Sequence, residues 1–221
     1  MGLHLLEIYR SPNIGVFVKA NDKIVLVPKG LAETKTKKIT DALKVDAQHV
    51  SVGGSRLLGP LVSMNNNGVL VSRIIEDYEL KEIASGTGLN VERFESKFTA
   101  VGNLVIGNDR GTIMSPILSP EDIKQVRDVL GTEVEVMAIQ RFVQVGSMIV
   151  ATNRGAAVNP NLNEEETERV GRALGVDAYP SSVNGGVPYV SSGLVANSMN
   201  AITGDLTTGP ELVFMTRALK V

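Results

Sequence analysis

The stretch Leu61-Val62-Ser63-Met64-Asn65-Asn66-Asn67-Gly68-Val69-Leu70-Val71 decides how this chain folds, because its pattern returns further along. Gly68, Gly111 and Gly155 stand 43 and 44 residues apart. Each follows an apolar strand-like run: Leu61-Val62-Ser63-Met64, then Leu104-Val105-Ile106, then Met148-Ile149-Val150. A second glycine comes 20 residues after each (Gly88, Gly131, Gly175), with one helical pattern in between. A period of this size, with one supersecondary unit per copy, implies an array in which no unit buries its apolar face alone.

Weaker copies extend the phase. Asn200 and Ala201 stand 46 residues after Arg154 and Gly155, again behind an apolar run, Leu194-Val195-Ala196. Near the N-terminus Asn13-Ile14-Gly15-Val16-Phe17-Val18 matches Asn67-Gly68-Val69-Leu70-Val71, but the step from Gly15 to Gly68 is 53 residues. The excess is expected in an inserted hairpin over 20–30, with Asn21-Asp22-Lys23 at its tip. Register then returns, because Leu43-Lys44-Val45-Asp46-Ala47 echoes Leu174-Gly175-Val176-Asp177-Ala178. Five copies result, at 13–66, 67–109, 110–153, 154–198 and 199–221, all in one α/β domain over 1–221. The fifth is short, and Leu3 to Tyr9, within 1–12, would supply its missing strand. A repeat set completed by the opposite terminus predicts a closed ring, since closure removes both sheet edges.

Composition narrows the classes of function. Hydrophobic residues make up 43% and charged residues 21%, ordinary for a globular protein. No apolar run approaches the roughly 20 residues of a membrane span, and no signal peptide opens the chain, so a cytoplasmic protein without a membrane partner is expected. The absence of cysteine excludes a disulfide framework. A formal net charge of -2 denies a broad electrostatic grip on nucleic acid, so any RNA contact must be local. Aromatic residues at 4%, with no Trp, argue against base stacking on single strands.

The helix signals are explicit. Ser119-Pro120-Glu121-Asp122 sets a hydroxyl cap before a first-turn proline, with a carboxylate three residues after the cap. Asn163 followed by Glu164, Glu165 and Glu166 does the same one copy later. Ile123, Val126, Val129 and Leu130 recur at helical spacing, as do Val170, Ala173 and Leu174. Gly131 and Gly175 then fall where a left-handed cap is wanted. Each copy reads strand, helix, strand, strand. Phase makes Pro210 to Val221 a helix, while Leu212-Val213-Phe214-Met215 suits a strand equally well, and both readings stand.

Catalytic chemistry is informative by absence. His4 and His49 are the only histidines and neither has a metal-ligand spacing around it, so no metal or Cys-His site can be assembled. Gly86-Thr87-Gly88 ends a helix and does not open one, which argues against a dinucleotide loop. Carboxylate pairs sit at helix starts, where capping accounts for them. The expectation is a protein that is not an enzyme and takes no cofactor.

The five copies, the segment Asn13-Ile14-Gly15-Val16-Phe17, the run Gly53-Gly54-Ser55-Arg56-Leu57-Leu58-Gly59, and Ala100-Val101-Gly102-Asn103 followed by Asn108-Asp109 resemble the translation initiation factor 6 family. Val145-Gly146-Ser147 and Gly204-Asp205-Leu206-Thr207-Thr208 also fit. The resemblance covers essentially the whole chain, which ends after the fifth copy without the acidic, Ser-rich tail of eukaryotic members, and so resembles the archaeal form. It implies the pentein fold, a five-bladed, propeller-like closed ring of five pseudosymmetric α/β repeats, expected as a monomer. It also implies a ribosome anti-association factor with a role in large-subunit biogenesis. Such a factor binds the intersubunit face of the large ribosomal subunit, on a ribosomal protein beside the sarcin-ricin loop with local rRNA contact, and blocks small-subunit joining.

The same resemblance draws attention to Arg56, Asn66, Arg93 and Asn103 as ribosome-binding residues. Each has a plainer reading beside it. Asn66 suits a tight turn before Gly68, Asn103 a turn at the start of a strand, Arg93 a cross-strand ion pair, and Arg56 an exposed loop. Eukaryotic members tend to carry arginine at the positions of Pro60 and Asn66, so binding here would depend less on charge. Lys35-Thr36-Lys37-Lys38 and Glu164-Glu165-Glu166 read as solvated helix starts. The alternative function is a pentein enzyme or small-ligand ring with a carboxylate-lined central channel. The pentein enzymes that modify guanidines use a nucleophilic cysteine, which this chain lacks.

Overall fold

The computed structural model describes residues 2–221. Strand β1 (Gly2–Leu6) is followed by a 3-10 turn at Ile14–Val16, β2 (Lys19–Ala20), β3 (Ile24–Pro28), helix α1 (Glu33–Leu43) and β4 (Asp46–Val50). A helical turn α2 (Leu58–Leu61) then leads into β5 (Val62–Met64), β6 (Gly68–Ser72), α3 (Asp77–Thr87) and β7 (Asn90–Phe94). The third set is the turn α4 (Val101–Leu104), β8 (Val105–Gly107), β9 (Thr112–Met114), α5 (Pro120–Leu130) and β10 (Val134–Val136). The fourth is a 3-10 turn at Val145–Ser147, β11 (Ile149–Ala151), β12 (Ala156–Val158), α6 (Glu164–Leu174) and β13 (Ala178–Pro180). The last is the turn α7 (Val190–Gly193), β14 (Leu194–Ala196), β15 (Asn200–Gly204) and α8 (Gly209–Leu219).

These strands make five three-stranded sheets. In each, the middle strand pairs antiparallel with the strand before it and parallel with the strand after the helix. The fifth sheet takes its outer strand from the N-terminus: β1 pairs parallel with β15, Leu3 opposite Ala201. The five inner strands touch in cyclic order, β2 to β5, β8, β11, β14 and back to β2, so the ring closes. Each long helix also packs on the sheet of the preceding blade, as α5 does on β6 and β7, sealing the groove between two blades. Five apolar clusters fill those grooves. One unites Leu26, Val50 and Val52 with Val69, Val71 and Ile83 of the next blade.

The inserted hairpin expected over 20–30 is not an insertion. Every blade has this hairpin, and Gly15 corresponds to Gly59, Gly102, Gly146 and Ser191 in the turns ahead of the inner strands, not to Gly68. The match at Asn13 to Val18 followed hydrophobicity alone, and two apolar runs of each copy resemble one another. Pro210 to Val221, where both readings stood, lies largely in helix α8. Its strand-like character comes from Val213 and Phe214, 69% and 53% exposed, at positions where the other helices carry Lys37-Lys38, Lys81-Glu82, Lys124-Gln125 and Glu168-Arg169. Capping geometry is as expected: Ser119 Oγ accepts from Asp122 N at 3.2 Å, Asn163 Oδ1 accepts from Glu166 N at 2.8 Å, and Gly131 and Gly175 end their helices at φ 67° and 62°.

Because strands and helices alternate in direction, the ring has two unlike faces. The hairpin tips and the C-termini of the long helices share one, the tip face. The helical turns, the loops after the outer strands and the N-termini of the long helices share the other, the loop face. On the loop face the short turns form a ring of close backbone approach. A Cβ on Gly59 would strike the carbonyl of Gly15, one on Gly102 the carbonyl of Gly59, and one on Gly146 the carbonyl of Gly102. Gly59→Ala is therefore expected to cost about 3 kcal/mol or more, which for a chain of this size lowers Tm by roughly 6–12 °C. Gly209→Ala meets no atom within 4 Å and should leave Tm unchanged or raise it. Calorimetry on the two variants checks both.

Candidate functional site

At the tip face each hairpin is built by one side chain. The Oδ1 of Asn21, Asn65, Asn108 and Asn197, and the Oγ1 of Thr152, each accept from the backbone amides two and three residues on, at 2.8–3.2 Å. The freed amide groups bind across blades: Asn65 Nδ2 donates to Leu130 O at 2.8 Å, Asn108 Nδ2 to Leu174 O at 2.9 Å, and Asn197 Nδ2 to Leu43 O at 2.8 Å. The next residue of every tip closes a cycle around the axis. Asp22 N donates to Asn66 Oδ1, Asn66 N to Asp109 Oδ1 and Asp109 N to Asn153 Oδ1, each at 2.9 Å. Asn153 N then donates to Ser198 Oγ at 3.3 Å, and Ser198 N to Asp22 Oδ1 at 2.6 Å.

This cycle brings the Asp22 and Asp109 carboxylates together at the axis, bridged by the amide nitrogens of Asn66 and Asn153 at 2.6–3.0 Å. Burial raises the Asp22 pKa, but the Ser198 amide, the Ser198 hydroxyl and the two asparagines outweigh it and hold the group below the ordinary carboxylate range. Asp22 therefore stays ionised near neutral pH and has no proton to exchange there. The cavity beside the pair is about 30 Å³, water-sized. The carboxylates that a central-channel site would need do converge, but as donor-saturated parts of a plug.

The loop face is built differently. The Glu79 carboxylate caps α3 and also clasps the preceding blade, accepting from Ser51 Oγ at 2.6 Å, Gly53 N at 2.6 Å and Gly54 N at 3.0 Å. Glu211 repeats this on α8, accepting from Ser182 Oγ at 2.8 Å, Gly185 N at 3.0 Å, Gly186 N at 2.8 Å and Thr208 N at 2.7 Å. Glu166 does so with Gln140 N at 3.1 Å, and Asp122 with Ser96 Oγ at 3.2 Å. In the first blade Lys35 stands at this position and donates to Glu7 O at 3.0 Å, reversing the polarity. Four of the five turns at this level hold consecutive residues at positive φ. Two use glycines, at 53–54 and 185–186, but Tyr9 (φ 53°) and Arg10 (60°), and Gln140 (48°) and Arg141 (72°), adopt the same conformation with full side chains. Such strain is retained where the side chains serve a purpose.

Exposed large apolar residues concentrate on this face. Tyr9, Leu57, Ile74, Ile117, Phe142, Tyr189 and Leu206 all lie there, whereas the tip face shows Met199. Arg10, Arg56 and Arg141 stand among them, and none makes an ion pair among the described residues. Arg56 lies over the Tyr9 ring at 5.5 Å, and Tyr9 meets Phe17 edge-on at 5.3 Å.

Of the four residues singled out from sequence, the loop face holds three. Arg56 is exposed there, and Asn103, on α4, is partly buried with no hydrogen bond from its side chain among the described residues. Arg93, near the end of β7, binds Asp77 Oδ1 at 2.5 Å and Ile75 O at 3.0 Å, an ion pair with helix α3 and not with a neighbouring strand. Asn66 lies on the opposite face, with both amide functions engaged in the axial cycle. Tyr9, Arg10, Phe142 and Tyr189 were not picked out from sequence. The Glu211 clasp had a signal, since Thr208-Gly209-Pro210-Glu211 is a capping box, whereas the helix of Glu79 is capped by Glu76 and carries no such sequence motif. Among the described residues no group of three or more His, Cys, Asp or Glu side chains is placed to hold a metal, and no helix is long and apolar enough to cross a membrane.

The model of the eIF-6 family matches residues 3–218. The chain is 44% identical over 218 residues to "Translation initiation factor 6" of Nitrosopumilus maritimus and 42% identical over 218 residues to that of Cenarchaeum symbiosum, covering 99% of each chain in both pairs. To the protein of that name from Pyrococcus furiosus it is 42% identical over 224 residues, again 99% of each chain. Among solved structures, DDAH from Pseudomonas aeruginosa, a cysteine-to-serine mutant complexed with citrulline, is similar at a TM-score of 0.49 and 13% identity over 77% of this chain and 70% of that one.

The clasp has a measurable pH signature. Burial raises the Glu211 pKa, and the donors from Thr208, Ser182 and Gly186 overcome it, bringing the group down to about 2 from 4.5. A folded-state pKa below the unfolded one contributes stability that is complete above about 4.5 and is lost as pH falls towards 2. Glu211→Gln is expected to cost on the order of 2 kcal/mol at pH 7, about 4–8 °C in Tm. Its deficit against the parent should shrink between pH 4.5 and 2, as thermal melts across that window would read.

Proposed function

The chain belongs to the eIF-6 family, and on that premise we propose that it is a translation initiation factor that docks by its loop face on the intersubunit surface of the large ribosomal subunit. The observation that carries the choice of face is the gathering of exposed apolar side chains and unpaired arginines there, against a tip face whose central polar groups are spent on closing the ring. An exposed apolar patch rimmed by arginine is the mark of a protein-binding surface. The partner is a ribosomal protein beside the sarcin-ricin loop, with Arg56 and its neighbours making local contact to rRNA phosphate. Asn103 contributes a free amide to the contact, and Arg93 holds the loop after β6 to the start of α3 through Ile75 and Asp77. Asn66 is left out of the contact set because it faces the other way.

The mechanism is steric. A closed disc seated on the joining surface excludes the small subunit by volume, with no bond made or broken, and so works as a cytoplasmic monomer without cofactor or turnover. Release in subunit maturation would end the block. With net charge -2 and few cations at the contact, attachment should weaken only gradually with salt.

Co-sedimentation with separated subunits, followed by a joining assay, tests this. Stoichiometric pelleting with large subunits alone and fewer joined ribosomes is expected. Arg56→Ala with Asn103→Ala should weaken binding by about tenfold or more, about 1.4 kcal/mol, at unchanged Tm, while Lys220→Ala on the tip face should bind as the parent does. Equal losses from the two faces, or no binding to either subunit at moderate salt, would overturn the proposal.

A further inference from the structure

We propose that the axial channel holds one small monovalent anion, of the size and charge of chloride, on the Lys19 ammonium. The inner strands present equivalent residues to the axis two positions before each hairpin tip: Lys19, Ser63, Ile106, Val150 and Val195. One blade thus places a cation where the others place a hydroxyl or an aliphatic group. Together with the small side chains of the next layer, these residues line a cavity of about 40 Å³ near the axis.

Lys19 has no hydrogen bond, ion pair or ring contact among the described residues, and no other ionisable side chain lines the cavity. The Ser63 hydroxyl is committed to Val105 O at 2.9 Å. The nearest carboxylates along the axis, Asp22 and Asp109, lie at the tips, beyond the layer of Ala20 and Met64, and their oxygens are taken by Asn66, Asn153 and Ser198. Lys19 is partly buried and is one of the residues lining this cavity. Burial lowers its pKa to about 8, so at pH 7 most molecules still carry the charge.

A desolvated ammonium without a counter-charge is costly, and the usual remedies are a paired anion or loss of the proton. The cavity exceeds the roughly 10–15 Å³ that one water requires and suits a monatomic anion with a water, not a phosphate ester. The site lies beneath the glycine ring of the loop face, so its occupant would stiffen the centre of the disc.

The test uses the intact protein at pH 7, with chloride compared against isethionate at constant ionic strength. Excess ³⁵Cl line broadening and a higher Tm in chloride are expected for the parent, both lost in Lys19→Met, with circular dichroism confirming that the variant folds. In ¹⁵N-lysine spectra of the parent, the Lys19 Nζ midpoint should be higher in chloride than in isethionate. Broadening that survives in Lys19→Met, or a Lys19 midpoint indifferent to chloride, would overturn the proposal, and the second reading holds even if the variant fails to fold.

Discussion

The structure depends on closing five small sheets around one axis. A three-stranded sheet of this size cannot bury both faces, and an open row of five would leave an apolar blade face uncovered at each end. Closure answers both problems, and it is held at two levels. On the tip face, five backbone amides each donate to a side chain of another hairpin, and the last donates back to the first. On the loop face, Gly15, Gly59, Gly102 and Gly146 let four of the five turns lie against the backbone of a neighbour. The first level fixes the register of the tips; the second sets how closely the blades approach. Neither works unless every blade is present, which is why the fifth must borrow β1 from the N-terminus.

The period was legible because it rests on glycine and apolar residues in local patterns, and so were the helix caps and the borrowed strand. The first copy was misphased because Ile14-Gly15-Val16 in a 3-10 turn and Gly68-Val69-Leu70 in a strand share the same hydrophobic pattern, and only pairing separates them. Helix α8 was ambiguous because Val213 and Phe214 are apolar without being core. The asparagines at the tips read as turn formers, which they are. Their second role, reaching 43 to 66 residues away to the next tip and helix, depends on ring geometry that no local pattern carries. Asn66 and Asn103 are similar as sequence signals, each within two residues of a glycine, and the fold sends them to opposite faces.

That polarity separates structural from functional chemistry. The two axial carboxylates are locked into the plug by asparagine and serine donors, so the features that would suggest an acid-base site instead stabilise the disc. The clasps of Glu79 and Glu211 order the loops on the other face, where Tyr9, Arg10 and Arg141 are held in a conformation that glycine would adopt more easily. A rigid scaffold presenting ordered apolar and arginine side chains suits a factor that acts by occupying a surface.

The central claim is that the loop face, and not the tip face, meets the large subunit. Hydroxyl-radical footprinting of the protein free and bound to purified large subunits tests it most directly. Tyr9, Phe142 and Tyr189 on the loop face and Met199 on the tip face are all exposed reporters. The structure predicts that binding protects the three aromatic residues and leaves Met199 as reactive as before. Protection of Met199 with unchanged reactivity at Tyr9, Phe142 and Tyr189 would contradict the account.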